Sequence, residues 1–203
     1  MITTIIFDLS EVLLRGLLGS HNGLAKFLNE NVSDFNFQIS ELQDLFEGRI
    51  SEEEYLKILV KMHPEYKVNV EDLKKIIRQN FQEIEGTRSI ISALREDGYK
   101  LGLLSVHARE WVDHCESMFQ YRELFDSVAY SFESAVCKPD PRAYELLLSQ
   151  LEAVPYETLF IDDSAKNIDS AVSLGIRSIQ FFSADQLLVD LKKVGIKIYD
   201  KRP

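Results

Sequence analysis

"LFIDDSAKNIDSAVSLGI", residues 159–176, is the stretch whose reading decides the fold. Leu159, Phe160 and Ile161 form an unbroken apolar run, as expected of a strand covered on both faces. The run ends in an acidic pair, Asp162 and Asp163. Ser164 then stands where a helix N-cap belongs, apolar residues recur at helical spacing, and Gly175 marks the stop. A strand that delivers carboxylates to the start of a helix is half of a parallel βαβ unit.

The same grammar recurs through the rest of the chain. Apolar runs predict further strands at Thr3 to Asp8, Lys100 to Ser105, Ser127 to Tyr130 and Arg177 to Phe182, with the quoted strand at Leu159 to Asp162. Helical patterns fall between them at Arg88 to Glu96, Arg109 to Phe119 and, with Asp140 as N-cap and Pro141 at the first helical position, on to Gln150. From about Thr87 onward strand and helix alternate, which predicts an α/β fold built on a doubly wound parallel sheet of Rossmann-like type. Residues 15–86 break the alternation. They read as helices at Leu24 to Asn29, Ile39 to Phe46, Ser51 to His63 and Val70 to Glu83, with Ser51-Glu52-Glu53-Glu54 spaced as a capping box. The expected organisation is a core made of residues 1–14 and 87–203, with residues 15–86 inserted after the first strand as a helical cap.

Composition narrows the function classes. The 203 residues carry a formal net charge of −10, which argues against nucleic acid or anionic membrane surfaces as partners. An anionic ligand would need a local reversal of sign, which a divalent cation and a lysine can supply. Cys115 and Cys137 form no paired metal-binding spacing, in keeping with a reducing compartment. No apolar run approaches the ~18 residues of a membrane span, and Met1 leads straight into a strand without a basic and apolar leader. The cytoplasm is therefore the expected location. Oligomeric state is left open.

Ligands of open α/β sheets bind beyond the carboxyl ends of the strands. The predicted ends carry Asp8, Ser105 and Asp162-Asp163, and Lys138 follows the third strand. Taken singly, Asp8 reads as a strand-end cap, Ser105 as a turn residue, Lys138 as a solvated lysine and the acidic pair as a helix cap. Taken together, at successive strand ends, they read as oxygen ligands for Mg²⁺ with a lysine and a hydroxyl for a phosphoryl group.

Four segments carry a family likeness: "IIFDLSEVLL" (5–14), "LGLLSVHA" (101–108), "CKPDPRAYE" (137–145) and the opening stretch. They resemble motifs one to four of the haloacid dehalogenase-like hydrolase superfamily, and the insert resembles that superfamily's helical cap. The nearest branches are the small sugar-phosphate phosphatases and the phosphatase domain fused to soluble epoxide hydrolases. The resemblance implies a small phosphorylated metabolite as substrate and Asp8 as nucleophile, forming an aspartyl phosphate that water hydrolyses. It implies Ser105 and Lys138 as holders of the phosphoryl group. It implies Mg²⁺ between Asp8, the backbone carbonyl of Ser10 and Asp163, with Asp162 helping directly or through water.

Three positions depart from the family pattern. Ser10 replaces the aspartate that protonates the leaving group, and a serine does not titrate near neutral pH. Glu11 stands where glycine is usual and is considered as a replacement acid. Val106 stands where many relatives have asparagine, which leaves neighbouring His107 as a polar contact for substrate or as a helix-start residue. These departures keep a second reading open, that of a weak or inactive relative with a binding role. Halide cleavage is disfavoured by the Asp162-Asp163 pair, whereas phosphonate cleavage would recruit a cap lysine such as Lys26, Lys57 or Lys61. His21, His63 and His114 show no partnered spacing, Trp111 and Phe119 read as packing residues, and Cys137 reads as a buried structural thiol.

Overall fold

Five parallel strands form one sheet: β1 (Thr4–Phe7), β2 (Lys100–Ser105), β3 (Ser127–Tyr130), β4 (Thr158–Asp162) and β5 (Arg177–Gln180). Their order is β3-β2-β1-β4-β5 in the computed structural model, which describes residues 1–196. The expected core segment's last residues, 197–203, lie outside the described residues. Phe7 pairs with Leu103 on one side and Ile161 on the other, so the chain leaves β1 between the ends of β2 and β4. The connections run to opposite sides of β1, which makes this the switch point of the sheet.

Both faces of the sheet are covered, which is why its strands read as continuous apolar runs. Ile5 and Phe7 join a large cluster with Leu103, Ile161, Ile91, Trp111 and Leu187. Ile6, Leu104 and Phe160, half a pleat away, pack on the other face against Tyr144, Leu147 and Ala171. The covering helices are α5 (Thr87–Glu96), α6 (Arg109–Phe119), α8 (Pro141–Gln150), α9 (Ala165–Ser173) and α10 (Ala184–Lys193), with a short α7 (Ser131–Ser134) following β3. Of these, α7 and α10 were not anticipated from the sequence. Asp140 caps α8 by accepting the Arg142 N–H at 3.0 Å, with Pro141 at its first position as expected.

Between β1 and α5 lie α1 (Ser20–Leu28), α2 (Glu41–Phe46), α3 (Glu52–Met62) and α4 (Val70–Asn80). The capping box at Ser51 forms, Ser51 N–H donating to Glu54 at 2.9 Å and Glu54 N–H to Ser51 Oγ at 3.3 Å. Asn69 and Asp72 form a second box at the start of α4. Helix α4 stops at Asn80 rather than running to Glu83. The backbone beyond it finds other partners: Arg15 N–H donates to Gln82 O at 2.8 Å, and Ile84 N–H to Leu13 O at 2.9 Å. The two chain passages joining the helical segment to the sheet are thereby laced side by side.

Gly102 sits in β2 where a Cβ would come within 2.7 Å of Leu151 Cδ1 and 3.3 Å of Ile6 Cγ1. Overpacking of this kind costs about 1–3 kcal/mol. Gly102→Ala is expected to lower the thermal midpoint by several degrees in a calorimetric scan; an unchanged midpoint would show slack between α8 and the sheet.

Candidate active site

Asp8 is the first residue past β1, and its N–H still donates to Ile161 O at 2.9 Å, so the ladder carries it out between β2 and β4. Its carboxylate is buried. Oδ1 accepts the Leu9 N–H at 2.7 Å and lies 2.9 Å from Lys138 Nζ. Lys138 comes from the loop between α7 and α8 and donates also to Asp162 Oδ2 at 2.6 Å. One buried ammonium thus bridges the ends of β1 and β4. Ser170 Oγ, on α9, steadies the loop by donating to Pro139 O at 2.6 Å.

Asp162 is fully buried and its acceptor sites are taken: Ser164 N–H and Asn167 Nδ2 reach Oδ1 at 2.9 and 3.0 Å, and Asn167 also reaches Oδ2 at 3.1 Å. It therefore caps α9 and orients Lys138. Ser164 occupies the N-cap position, but its own side chain makes no cap bond, which corrects the expectation that Ser164 does the capping. Asp163 is half-buried, with its backbone carbonyl held by Gln180 Nε2 at 2.9 Å. Carboxylate oxygens of Asp8, Asp162 and Asp163 all lie within 4.8 Å of one another. With Asp162 engaged by its neighbours, Asp8 and Asp163 offer the carboxylate oxygens that suit a hard divalent cation.

The electrostatics follow from three carboxylates sharing one ammonium. Burial pushes the Asp8 carboxyl up, Lys138 opposes it, and Asp162 reinforces the rise, leaving it at about 7. Asp163 is raised by burial and by Asp162. Burial alone would lower the Lys138 ammonium, but Asp162 and Asp8 outweigh it and hold it above its ordinary value.

Ser105 ends β2 with its hydroxyl buried and without a hydrogen-bond partner among the described residues. Such a group is costly unless something occupies the space beside it. Val106 and Lys138 line a cleft of about 750 Å³ whose opposite wall is α2 and its flanks, with Gln43, Glu47 and Arg49. His107 goes elsewhere. Its ring is buried 5.8 Å from Phe81 and 5.7 Å from Trp111, and burial pushes its pKa down to about 4, so it is neutral. The backbone N–H of His107 donates to Ser131 Oγ at 3.1 Å. Cys137 is half-buried in the cleft wall, its thiol raised by burial and then by Glu47.

Ser10 and Glu11 lie in a tight loop in which Glu11 N–H donates to Leu14 O at 2.7 Å and Leu14 N–H to Leu9 O at 2.9 Å. No hydrogen bond from the described residues reaches the Ser10 carbonyl. Glu11 has φ of 57°, a left-handed conformation that favours glycine. Its carboxylate turns back on the loop, accepting Gly16 N–H at 2.8 Å and Arg15 Nη1 at 3.1 Å. Ser10 sits beside Gly16, where a Cβ would stand 3.0 Å from its Oγ. Asn167 and Ser131 escaped sequence reading. The place of Asn167 in the first turn after an acidic pair is a usable signal, whereas nothing local marks Ser131.

Carboxylates and a lysine gathered at the switch point of an open parallel sheet define an α/β protein with its chemistry at the carboxyl edge. A family description, haloacid dehalogenase-like hydrolase, matches residues 5–181, and the chain belongs to that family. D-ribitol-5-phosphate phosphatase of Bacteroides thetaiotaomicron is 24% identical over 193 residues, 89% of this chain and 92% of that protein. Flavin mononucleotide hydrolase 1 of Arabidopsis thaliana is 26% identical over 133 residues, 64% of this chain. The chain spans about half, 53%, of that relative's length. Among solved structures, a family enzyme from Bacteroides thetaiotaomicron in complex with magnesium and inorganic phosphate superposes with a TM-score of 0.73. It is 24% identical, with 90% of this chain and 96% of that chain covered.

Because burial and neighbouring carboxylates favour the protonated form of Asp8 in the folded state, the contribution of Asp8 to stability falls as pH rises from about 4 through about 7. Asp8→Asn removes that buried charge while leaving Lys138 its partner Asp162. The metal-free variant is expected to be the more stable protein at pH 8, by an amount on the order of a few kcal/mol, with the gain shrinking toward pH 4. Thermal midpoints across this range check it; a variant less stable at pH 8 would show that the Asp8–Lys138 pair outweighs the burial of charge.

Proposed function

We propose that this chain is a Mg²⁺-dependent phosphatase of small phosphorylated metabolites, acting through an aspartyl-phosphate intermediate. Residues 15–86 serve as the cap of a core built from residues 1–14 and 87–203. The observation that carries the reading is the Asp8–Lys138–Asp162 bridge with the unpartnered Ser105 hydroxyl at the neighbouring strand end. Phosphatase relatives such as the ribitol-phosphate enzyme support it. No helix among the described residues is long and apolar enough to cross a membrane, which is compatible with work on a small metabolite in the cytoplasm.

In this reading the ionised Asp8 carboxylate attacks phosphorus, an Asp8 O–P bond forms, and the bond to the leaving oxygen breaks with its electron pair. Water then attacks phosphorus and frees Asp8 and inorganic phosphate. Lys138 and Ser105 donate to the phosphoryl oxygens throughout, stabilising charge that grows in the transition state. Asp8, Asp163 and the Ser10 carbonyl would hold Mg²⁺, with Asp162 behind Lys138. The ion supplies positive charge to phosphoryl oxygens and offsets the carboxylates. The leaving oxygen must take its proton from water, since Ser10 does not titrate and Glu11 is committed to Gly16 and Arg15.

A second reading, a weak or inactive relative that binds phosphate without turnover, is favoured by that same Ser10. A general acid contributes ~10²–10⁴-fold, so its absence weighs most on substrates with poor leaving groups.

With Mg²⁺, the wild type is expected to hydrolyse acetyl phosphate and a subset of metabolite phosphates, Asp8→Asn to be inactive, and a chelator to abolish turnover. Ser10→Asp is expected to raise kcat on an alkyl phosphate by about 10²-fold while changing acetyl phosphate little. A wild type inert on both substrates, with activity only in Ser10→Asp, would favour the second reading.

The acid limb of kcat/KM should follow the ionisation of Asp8. Because a bound dication favours the carboxylate, that limb is expected to move to lower pH as Mg²⁺ is raised. A limb independent of Mg²⁺ would argue against Asp8 as both ligand and nucleophile.

A further inference from the structure

Away from the strand ends, Glu52 at the start of α3 is almost wholly buried with its carboxylate engaged on both oxygens. Arg78 of α4 donates to Oε1 and Oε2, each at 2.7 Å, and Trp111 of α6 donates its indole N–H to Oε1 at 2.8 Å. The backbone N–H of Glu52, one of the donors that a helix start leaves free, goes to Glu110 of α6 at 3.1 Å. Two helices of the insert are thus clasped to the helix that follows Ser105, Val106 and His107.

The Trp111 ring extends the clasp. It meets His107 at 5.7 Å, Phe81 and Phe46 each at 5.9 Å, and Tyr55 at 6.4 Å. Phe46 belongs to α2, which with Gln43 also walls the cleft opposite Val106 and Lys138. The Trp111 side chain therefore ties α2 to the helix that follows Val106, and a buried bidentate carboxylate holds that side chain. Such a cluster is expensive to break, because loss of any member leaves a buried charge or donor unsatisfied.

We propose that Glu52, Arg78 and Trp111 are positioning residues that set the width of the cleft between α2 and the segment after β2, and through it the fit of the substrate's non-phosphoryl part. The clasp is a property of the fold, and its link to substrate fit rests on the phosphatase reading above. The two are separable by experiment.

Cys137, half-buried in the cleft wall, reports the width without any turnover. In Glu52→Ala, alkylation of Cys137 by iodoacetamide, followed by peptide mass spectrometry, is expected to be about tenfold faster than in the wild type. Amide exchange in β1 and β4 should be unchanged. Glu52→Gln, which keeps an acceptor for Trp111, should recover most of the protection. Trp111→Phe, which keeps a ring and removes the donor, provides a milder variant should Glu52→Ala not fold, with an expected rise of about threefold. An unchanged Cys137 rate in these variants, or a rise only in step with strand exchange, would overturn the proposal.

With a hydrolysed metabolite phosphate, Glu52→Ala should raise KM about tenfold with kcat changed by less than about threefold, and acetyl phosphate should be affected little. Equal losses on both substrates would overturn the link to substrate fit. No turnover by the wild type would count against the phosphatase reading alone, with the Cys137 rate still deciding the clasp.

Discussion

One ammonium group shared by two buried carboxylates is the constraint on which the rest of the site depends. Lys138 Nζ lies 2.9 Å from Asp8 and 2.6 Å from Asp162, and all three side chains are out of bulk water. Burying such a cluster is unfavourable unless every lone pair and proton finds a partner, and around Asp162 that condition is met by Asn167 and the Ser164 N–H. Around Asp8 it is not. Among the described residues only the Leu9 N–H joins Lys138 there, and Asp163 adds a further negative charge close by. The imbalance shows in the direction of the shifts: burial and neighbouring carboxylates raise Asp8 and Asp163 together. A site with surplus negative charge on oxygen atoms is completed by a small cation, and the cation's remaining coordination then attracts an anion despite the net charge of −10 on the chain.

The sheet is what makes this arrangement possible. Parallel strands bring their carboxyl ends to one edge, and the reversal at β1 parts the connections so that Asp8 emerges between the end of β2, which carries Ser105, and the end of β4, which carries Asp162. Lys138 must come from outside the sheet, so its loop is held by Ser170 on α9, the same helix whose first turn presents Asn167 to Asp162. Helix α9 therefore organises the bridge without contributing a charge of its own to it.

How much of this can be read from residues alone depends on the range of the interaction. Strands buried on both faces announce themselves as apolar runs, and all five begin and end within two residues of where the pattern puts them. Caps that close over three residues, as at Ser51 and Asp140, are equally legible because the partners are near in sequence. Helix α4 was read three residues too long because the bonds that end it go to Leu13 and Arg15, far away in the chain. His107 is packed on Trp111, one helical turn away, and on Phe81, a contact made only when the helical segment folds back. Glu52 looked like a capping-box residue among other acids, and its burial against Arg78 and Trp111 has no local signature.

In the proposed chemistry Ser10 separates two properties, metal binding and proton transfer. Metal binding at that position needs a backbone carbonyl, which any residue provides. Proton transfer needs a titrating side chain, which serine lacks. Glu11 would have to leave Gly16 and Arg15 to take over that role. Leaving strands the Gly16 N–H and removes the bonds that offset a left-handed backbone, a cost of about 1–3 kcal/mol that adds to any barrier it lowers. The loop therefore commits the Glu11 carboxylate to its own Gly16 N–H and Arg15 rather than to the delivery of an acid. In the proposed chemistry the electrostatic work falls on Lys138, Ser105 and the metal ligands, and a leaving group that departs as a stable anion suits such a site better than an alkoxide.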